Sequence, residues 1–104
     1  MKKYTLEEKL AINVKCAQLL GLKIEFVNIN YISAGGLIFD IFDGYSSLMP
    51  TADKLEIDSC KSTDGNISWM SDNILSKDNG SVTTWDADRR LSILKCVIKI
   101  VGES

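Results

Sequence analysis

Carboxylates and thiols are the groups in this chain whose types and spacing could do chemistry. Asp40 and Asp43 close one apolar run, and Asp58 and Asp64 follow in a polar segment. Carboxylates that converge supply the oxygen ligands a hard cation takes. The spacing departs from the EF-hand loop, and acids at strand ends and turns are ordinary solvent-facing groups. The sequence therefore predicts neither a metal nor a cofactor. Three cysteines, Cys16, Cys60 and Cys96, match no zinc or redox spacing. A nucleophilic thiolate needs a nearby base or a helix N-terminus. The chain has no histidine, which removes the commonest base and the commonest transition-metal ligand. Cys16 and Cys96 fall on the flanks of predicted helices and read as buried structural thiols, whereas Cys60 reads as the more exposed. Ser33-Ala34-Gly35-Gly36 offers backbone amides to a phosphate, but no phosphate-loop lysine follows and a hairpin turn fits better. Nothing here assembles catalysis, and the expectation is that the protein is not an enzyme.

A second set of residues suits binding. Trp69, Trp85, Arg89 and Arg90, with Tyr45, are of types that carry binding energy at protein interfaces. Trp85 precedes a predicted helix start, where it reads as a hydrophobic staple. Arg89 and Arg90 cannot both face a core. At least one is expected to be exposed near that start, where the helix dipole disfavours a cation. Asp86, Asp88 or a partner's carboxylate would then pair with it. Trp69, Trp85, Asp86, Asp88, Arg89 and Arg90 form the candidate partner-binding set.

The elements that must position these groups follow from capping and periodicity. Thr5 and Glu8 make a capping box and Gly21 a stop signal, which predicts a helix between them with Leu6, Leu10, Val14, Ala17 and Leu20 on its apolar face, widened on one side by Ile12, Cys16 and Leu19, and Glu7, Glu8, Lys15 and Gln18 on the wet side. A strand is expected over 23–31, with a bulge where the alternation changes phase at Phe26-Val27. A turn at Ser33–Gly36 and a strand over 37–43 complete a hairpin. Residues 44–53 read as a loop. Short strands or turns are expected near 55–60 and 67–70, and Asp78-Asn79-Gly80 carries a hairpin signal. The last helix is expected to start at Thr84 or Asp86. Ala87, Leu91, Leu94, Ile98 and Val101 make one apolar stripe, and Ile93, Val97 and Ile100 a second, with Ser92, Lys95 and Lys99 on the polar side. A sheet can cover one stripe. The first helix, or a second subunit in a homodimer, must cover the other.

These elements predict an α+β fold of one domain over 1–104, a small antiparallel sheet flanked by an N-terminal and a C-terminal helix. The length of 104 residues suits one domain. The net charge of -2 and the absence of a basic stripe argue against nucleic acid as partner. No apolar run reaches the ~20 residues that span a bilayer, so no membrane partner is expected. An odd number of cysteines with no secretory leader favours reduced thiols in the cytoplasm.

Two patches extend this reading. Val14-Lys15-Cys16-Ala17-Gln18-Leu19-Leu20-Gly21-Leu22-Lys23 resembles the helix ending in a Gly-aromatic-Lys segment of the phage ABA-sandwich domains, a family of small tailed-phage and prophage proteins. Leu22 takes the place usually held by Trp. Trp85-Asp86-Ala87-Asp88-Arg89-Arg90-Leu91 is similar to the acidic lead-in to that family's final helix. The resemblance implies an α/β sandwich and a viral origin, and it implies no settled activity. With no catalytic motif in view, the function expected is non-catalytic. It is that of a phage-encoded accessory or host-interaction protein, anti-defence among its roles, that binds a host protein in the host cytoplasm. The alternative is a small-molecule binder that sequesters a nucleotide signal of host defence, its pocket lined by Trp69, Trp85 and Arg89 or Arg90. A small enzyme working without histidine comes third.

Overall fold

The computed structural model of the chain describes residues 3–28, 31–61, 68–73 and 82–102. The fold is α+β: two small antiparallel sheets and three helices, with helices at the N- and C-terminal ends. Where one sheet was expected there are two.

Helix α1 spans Leu6–Leu19. Its capping box forms, with Glu8 N donating to Thr5 Oγ1 and Thr5 N to Glu8 Oε1, both at 3.1 Å. The stop is a Schellman motif. Gly21 takes φ 72°, Leu22 N donates to Ala17 O and Gly21 N to Gln18 O. The buried side is the widened flank of the expected face, with Asn13 added to it. Ile12, Asn13, Cys16 and Ala17 are buried, while Leu6 is exposed and Leu10 and Val14 only half-buried. Apolar residues run around most of this helix, so periodicity barely distinguishes its faces. Asn13 turns the helix by binding the segment that follows the first sheet.

That sheet contains β1 (Ile24–Val27), β2 (Ile32–Ala34) and β3 (Leu37–Phe39) in the order β1-β2-β3. The register shifts between Ile24 and Phe26, so a bulge is present but just ahead of the Phe26-Val27 step where the phase change placed it. The strand expected over 23–31 ends early, at Val27, and Asn28 N donates to Tyr31 O. The turn expected over 33–36 contracts to Gly35-Gly36, whose φ values of 62° and 83° fit a two-residue hairpin of type I′. The strand expected over 37–43 also ends early, at Phe39. Asp40 N donates to Ser47 Oγ, Phe42 N to Asp40 Oδ1, and Ile41 drops into the core.

The loop expected over 44–53 contains helix α2, Leu48–Lys54. Pro50 lies in its first turn, where a missing N–H costs nothing. Leu48, Thr51 and Ala52 are buried. Ser47 precedes the helix without capping it through its side chain, because its hydroxyl is occupied by Asp40 N.

The second sheet is β4 (Asp58–Lys61), β5 (Trp69–Asp72) and β6 (Thr83–Asp86), in the order β4-β5-β6. The Asp78-Asn79-Gly80 signal lies outside the described residues. Helix α3, Arg89–Gly102, begins later than expected because Thr83-Thr84-Trp85 is strand. β-branched and aromatic residues favour the pleated surface over a helical first turn. Asp88 then caps α3, its Oδ1 accepting from Arg90 N at 2.8 Å. Ile93, Leu94, Val97, Ile98 and Val101 are all buried, and α3 touches α1, α2 and all three strands of the second sheet. The middle of both apolar stripes is therefore covered within one chain, while Ala87 is exposed and Leu91 and Ile100 are half-buried. Ser92, assigned to the polar side, is fully buried and bonded to Ser71 Oγ at 2.8 Å. Among the described residues no helix is long and apolar enough to cross a membrane.

Candidate functional site

The candidate binding residues sit on β5, β6 and the first turn of α3, and strand alternation decides which of them meet. Trp69 pairs with Asp86, and Ser71 with Thr84. Ser71 and Thr84 both bond to Ser92, so this face of the sheet lies on α3. Arg89 joins Trp69 there. Its guanidinium carbon is 5.6 Å from the indole centroid, and its Nε donates to Ser59 Oγ at 3.0 Å. A cation over an indole face is a stabilising contact.

Asp86 is held by Lys95, with Nζ to Oδ2 at 2.7 Å, and accepts from Asp88 N at 2.9 Å. The Lys95 hydrogen bond, and next the Asp88 amide, hold its carboxyl below the usual aspartate range. Lys95 Nζ also donates to Trp85 O at 3.0 Å. One lysine thus ties β6 to α3. Arg90 points elsewhere, and its Nη1 donates to Phe42 O at 3.1 Å. The expected pairing of Asp86 or Asp88 with an arginine side chain is not found. Asp86 takes Lys95, Asp88 takes backbone amides, and the arginines take an indole, a hydroxyl and a carbonyl.

Trp85 is no staple. It lies on β6, 50% exposed, on the sheet face away from α3. There it forms a cross-strand row with Met70 and Cys60. Because Trp69 and Trp85 project from opposite faces, they cannot line one pocket. The structure gathers Trp69, Asp86 and Arg89 at one corner, sets Trp85 apart, and uses Asp88 and Arg90 to hold the start of α3.

The chemical candidates resolve as well. Asp40 accepts from Asn13 Nδ2 at 3.2 Å and from Phe42 N at 2.9 Å. Asp64 lies outside the described residues, and among those described no three His, Cys, Asp or Glu side chains gather to hold a metal ion. The Gly35-Gly36 amides are already occupied. Gly35 N donates to Lys23 O, and Gly36 N to Glu25 Oε1 at 2.6 Å. The turn therefore presents a carboxylate where a phosphate would have to sit.

Cys16 and Cys96 are buried, and Cys60 is exposed. Burial pushes the Cys16 thiol up to about 12 and the Cys96 thiol up to about 11. At neutral pH only Cys60 should react readily with a thiol reagent such as Ellman's reagent. Cys16 and Cys96 should follow only after denaturation, so fast native labelling of either would contradict this packing. Both thiols keep their protons longer in the folded state. Their contribution to stability is therefore intact below about 9, the unfolded value, and is lost as pH rises through the folded values.

The largest exposed apolar groups escaped the sequence reading. Leu37 is 74%, Ile38 66% and Phe26 53% exposed. Phe26 and Ile38 both lie opposite Ser33 and so share one face of the first sheet, while Leu37 sits at its turn. The phenyl ring of Phe26 lies 6.3 Å from that of Tyr31. The signal was present in Leu37-Ile38-Phe39, an apolar run without the polar alternation of a half-buried strand. No family model matches the chain, nor does any curated protein or solved structure.

Proposed function

We propose that the chain is a non-catalytic binding protein that docks a host protein on the outer face and free edge of the β1-β2-β3 sheet. The observation that carries this reading is the exposure of Phe26 and Ile38 on one face of the sheet, with Leu37 exposed at the turn end of the edge strand β3. Among the described residues strand β3 has one sheet neighbour, β2. Residues Leu37–Phe39 include no charge or proline of the kind that protects free edges. Large apolar side chains gathered in water mark interaction surfaces. An extended segment of a partner that added to β3 would gain backbone hydrogen bonds while its side chains covered Ile38 and Phe26. The Trp85, Met70 and Cys60 row is a smaller apolar surface and supports the reading less. The phage-encoded accessory or anti-defence role, and action in the host cytoplasm, rest on the resemblance of the α1 terminus and of the 85–91 segment to the phage ABA-sandwich domains.

The test is Leu37→Asp combined with Ile38→Asp, both at exposed positions, in protein purified from the infected host. The variant should keep its circular dichroism spectrum and lose a stoichiometric host protein. Arg89→Glu should retain that protein. If the double variant still carries the partner, the sheet face is not the docking surface. If a concentration-dependent dimer seen by light scattering is what the variant loses, the occupant is a second copy of the chain and not a host protein.

A further inference from the structure

We infer that the cleft between α1 and α3 binds a small organic phosphate, a molecule with one dianionic end and an apolar body. The cleft is a cavity of about 600 Å³, within the range of small-molecule sites. Helix α1 presents Glu8, Ala11, Ile12 and Lys15 to it. Helix α3 presents Lys95, Ile98, Lys99 and Gly102. Each set follows the i, i+3, i+4, i+7 spacing of a single helix face. The cleft is thus a groove between two facing stripes. Ile12 and Ile98, both buried, give it an apolar floor, and Ala11 and Gly102 leave it room.

The charges are what single it out. The chain carries a net charge of -2, yet this groove holds three lysines and one carboxylate. That carboxylate, Glu8, is tied back to Thr5 N. Lys95 is engaged by Asp86 and Trp85 O. Lys15 and Lys99 have no partner among the described residues. Like charges that converge on one cavity repel each other and raise the local potential for an anion. A phosphomonoester carries roughly two negative charges at neutral pH and would neutralise both free ammonium groups, while its organic part covers Ile12 and Ile98. The cavity beyond Tyr4 makes the contrast clear. Lys3, Lys9 and Arg90 line that one, but Lys9 lies over the Phe42 ring and Arg90 is bonded to Phe42 O. Lys9 and Arg90 thus serve the fold, whereas Lys15 and Lys99 of the α1-α3 groove have no such contact among the described residues.

The inference is tested by amide chemical-shift titration of the full chain with AMP, adenosine and inorganic phosphate as probes. AMP should give saturable shifts centred on Ala11, Lys15, Lys99 and Gly102, and the response should weaken as salt is added. Adenosine should leave these amides unmoved, and inorganic phosphate should bind more weakly than AMP. Lys15→Gln with Lys99→Gln, both at exposed positions, should weaken AMP roughly ten-fold for each ammonium removed. Lys54→Gln, on α2, should change nothing. No saturation by AMP at millimolar concentration, equal binding of adenosine, equal binding of inorganic phosphate, or undiminished binding to the double variant would each overturn the assignment. None of these results depends on the sheet face, so the two binding surfaces stand or fall separately.

Discussion

Leu94→Ala is expected to lower the stability of the protein by roughly 2–5 kcal/mol, read as a fall in the urea midpoint with an unchanged slope. Leu94 is 1% exposed and lies in the middle of α3, the helix that contacts both other helices and the second sheet. Truncating it removes the transfer free energy of the lost atoms and leaves a cavity that several elements would have to close together. A small domain has roughly 5–15 kcal/mol to lose, so this one change approaches the limit of folding at ordinary temperature. Leu91→Ala is the matched control. Leu91 is on the same helix and only partly buried, and its loss should cost well under half as much. A Leu94→Ala variant within about 1 kcal/mol of the parent would mean that the two stripes of α3 are not both packed.

The centrality of α3 was legible because burial on two sides leaves a wide apolar face, which spacing reveals. Its start was not. Thr84 and Asp86 are reasonable caps in isolation, and only pairing with β5 makes Thr83–Asp86 a strand. That pairing lies between segments distant in sequence, and it also fixes which way Trp69 and Trp85 point. A one-residue change of register would exchange their faces. The residue types of the candidate site could therefore be chosen from the sequence, but their grouping could not. The same limit explains the groove. Lys15, Lys95 and Lys99 each read as the wet side of a helix, and only the docking of α1 on α3 turns those wet sides toward one another. α1 itself was legible at both ends, where capping chemistry is local. Its rotation was not, because its apolar residues spread around the helix and a buried polar residue, Asn13, chose the face.

Asn13→Ala should therefore be the most damaging polar substitution, lowering stability by roughly 2–4 kcal/mol. Asn13 is 2% exposed. Its Oδ1 accepts from Ile41 N at 2.9 Å, and its Nδ2 donates to Asp40 Oδ1 at 3.2 Å. The side chain thus satisfies the backbone of a residue that has left the sheet and entered the core, where Ile41 is fully buried. Alanine would strand that N–H away from water, and an orphaned buried donor costs more than the mean value of a hydrogen bond. Asn13→Leu separates this from simple loss of volume. It fills the space yet leaves Ile41 N unpaired, so it should fail to restore stability. Asn13→Asp restores the acceptor for Ile41 N but places a second carboxylate against Asp40. Like charges that close favour protonating one of the two, so this variant should be weak at neutral pH and regain part of the deficit in mild acid, opposite to the usual trend for carboxylates. Urea midpoints of the three variants, measured at both pH values, decide the matter. If leucine matches asparagine, the contact with Ile41 is not what orients α1. If alanine is the weakest, leucine fails to rescue and aspartate recovers on acidification, one amide side chain sets the rotation of α1. It would then also set which of the α1 residues, Lys15 among them, face α3.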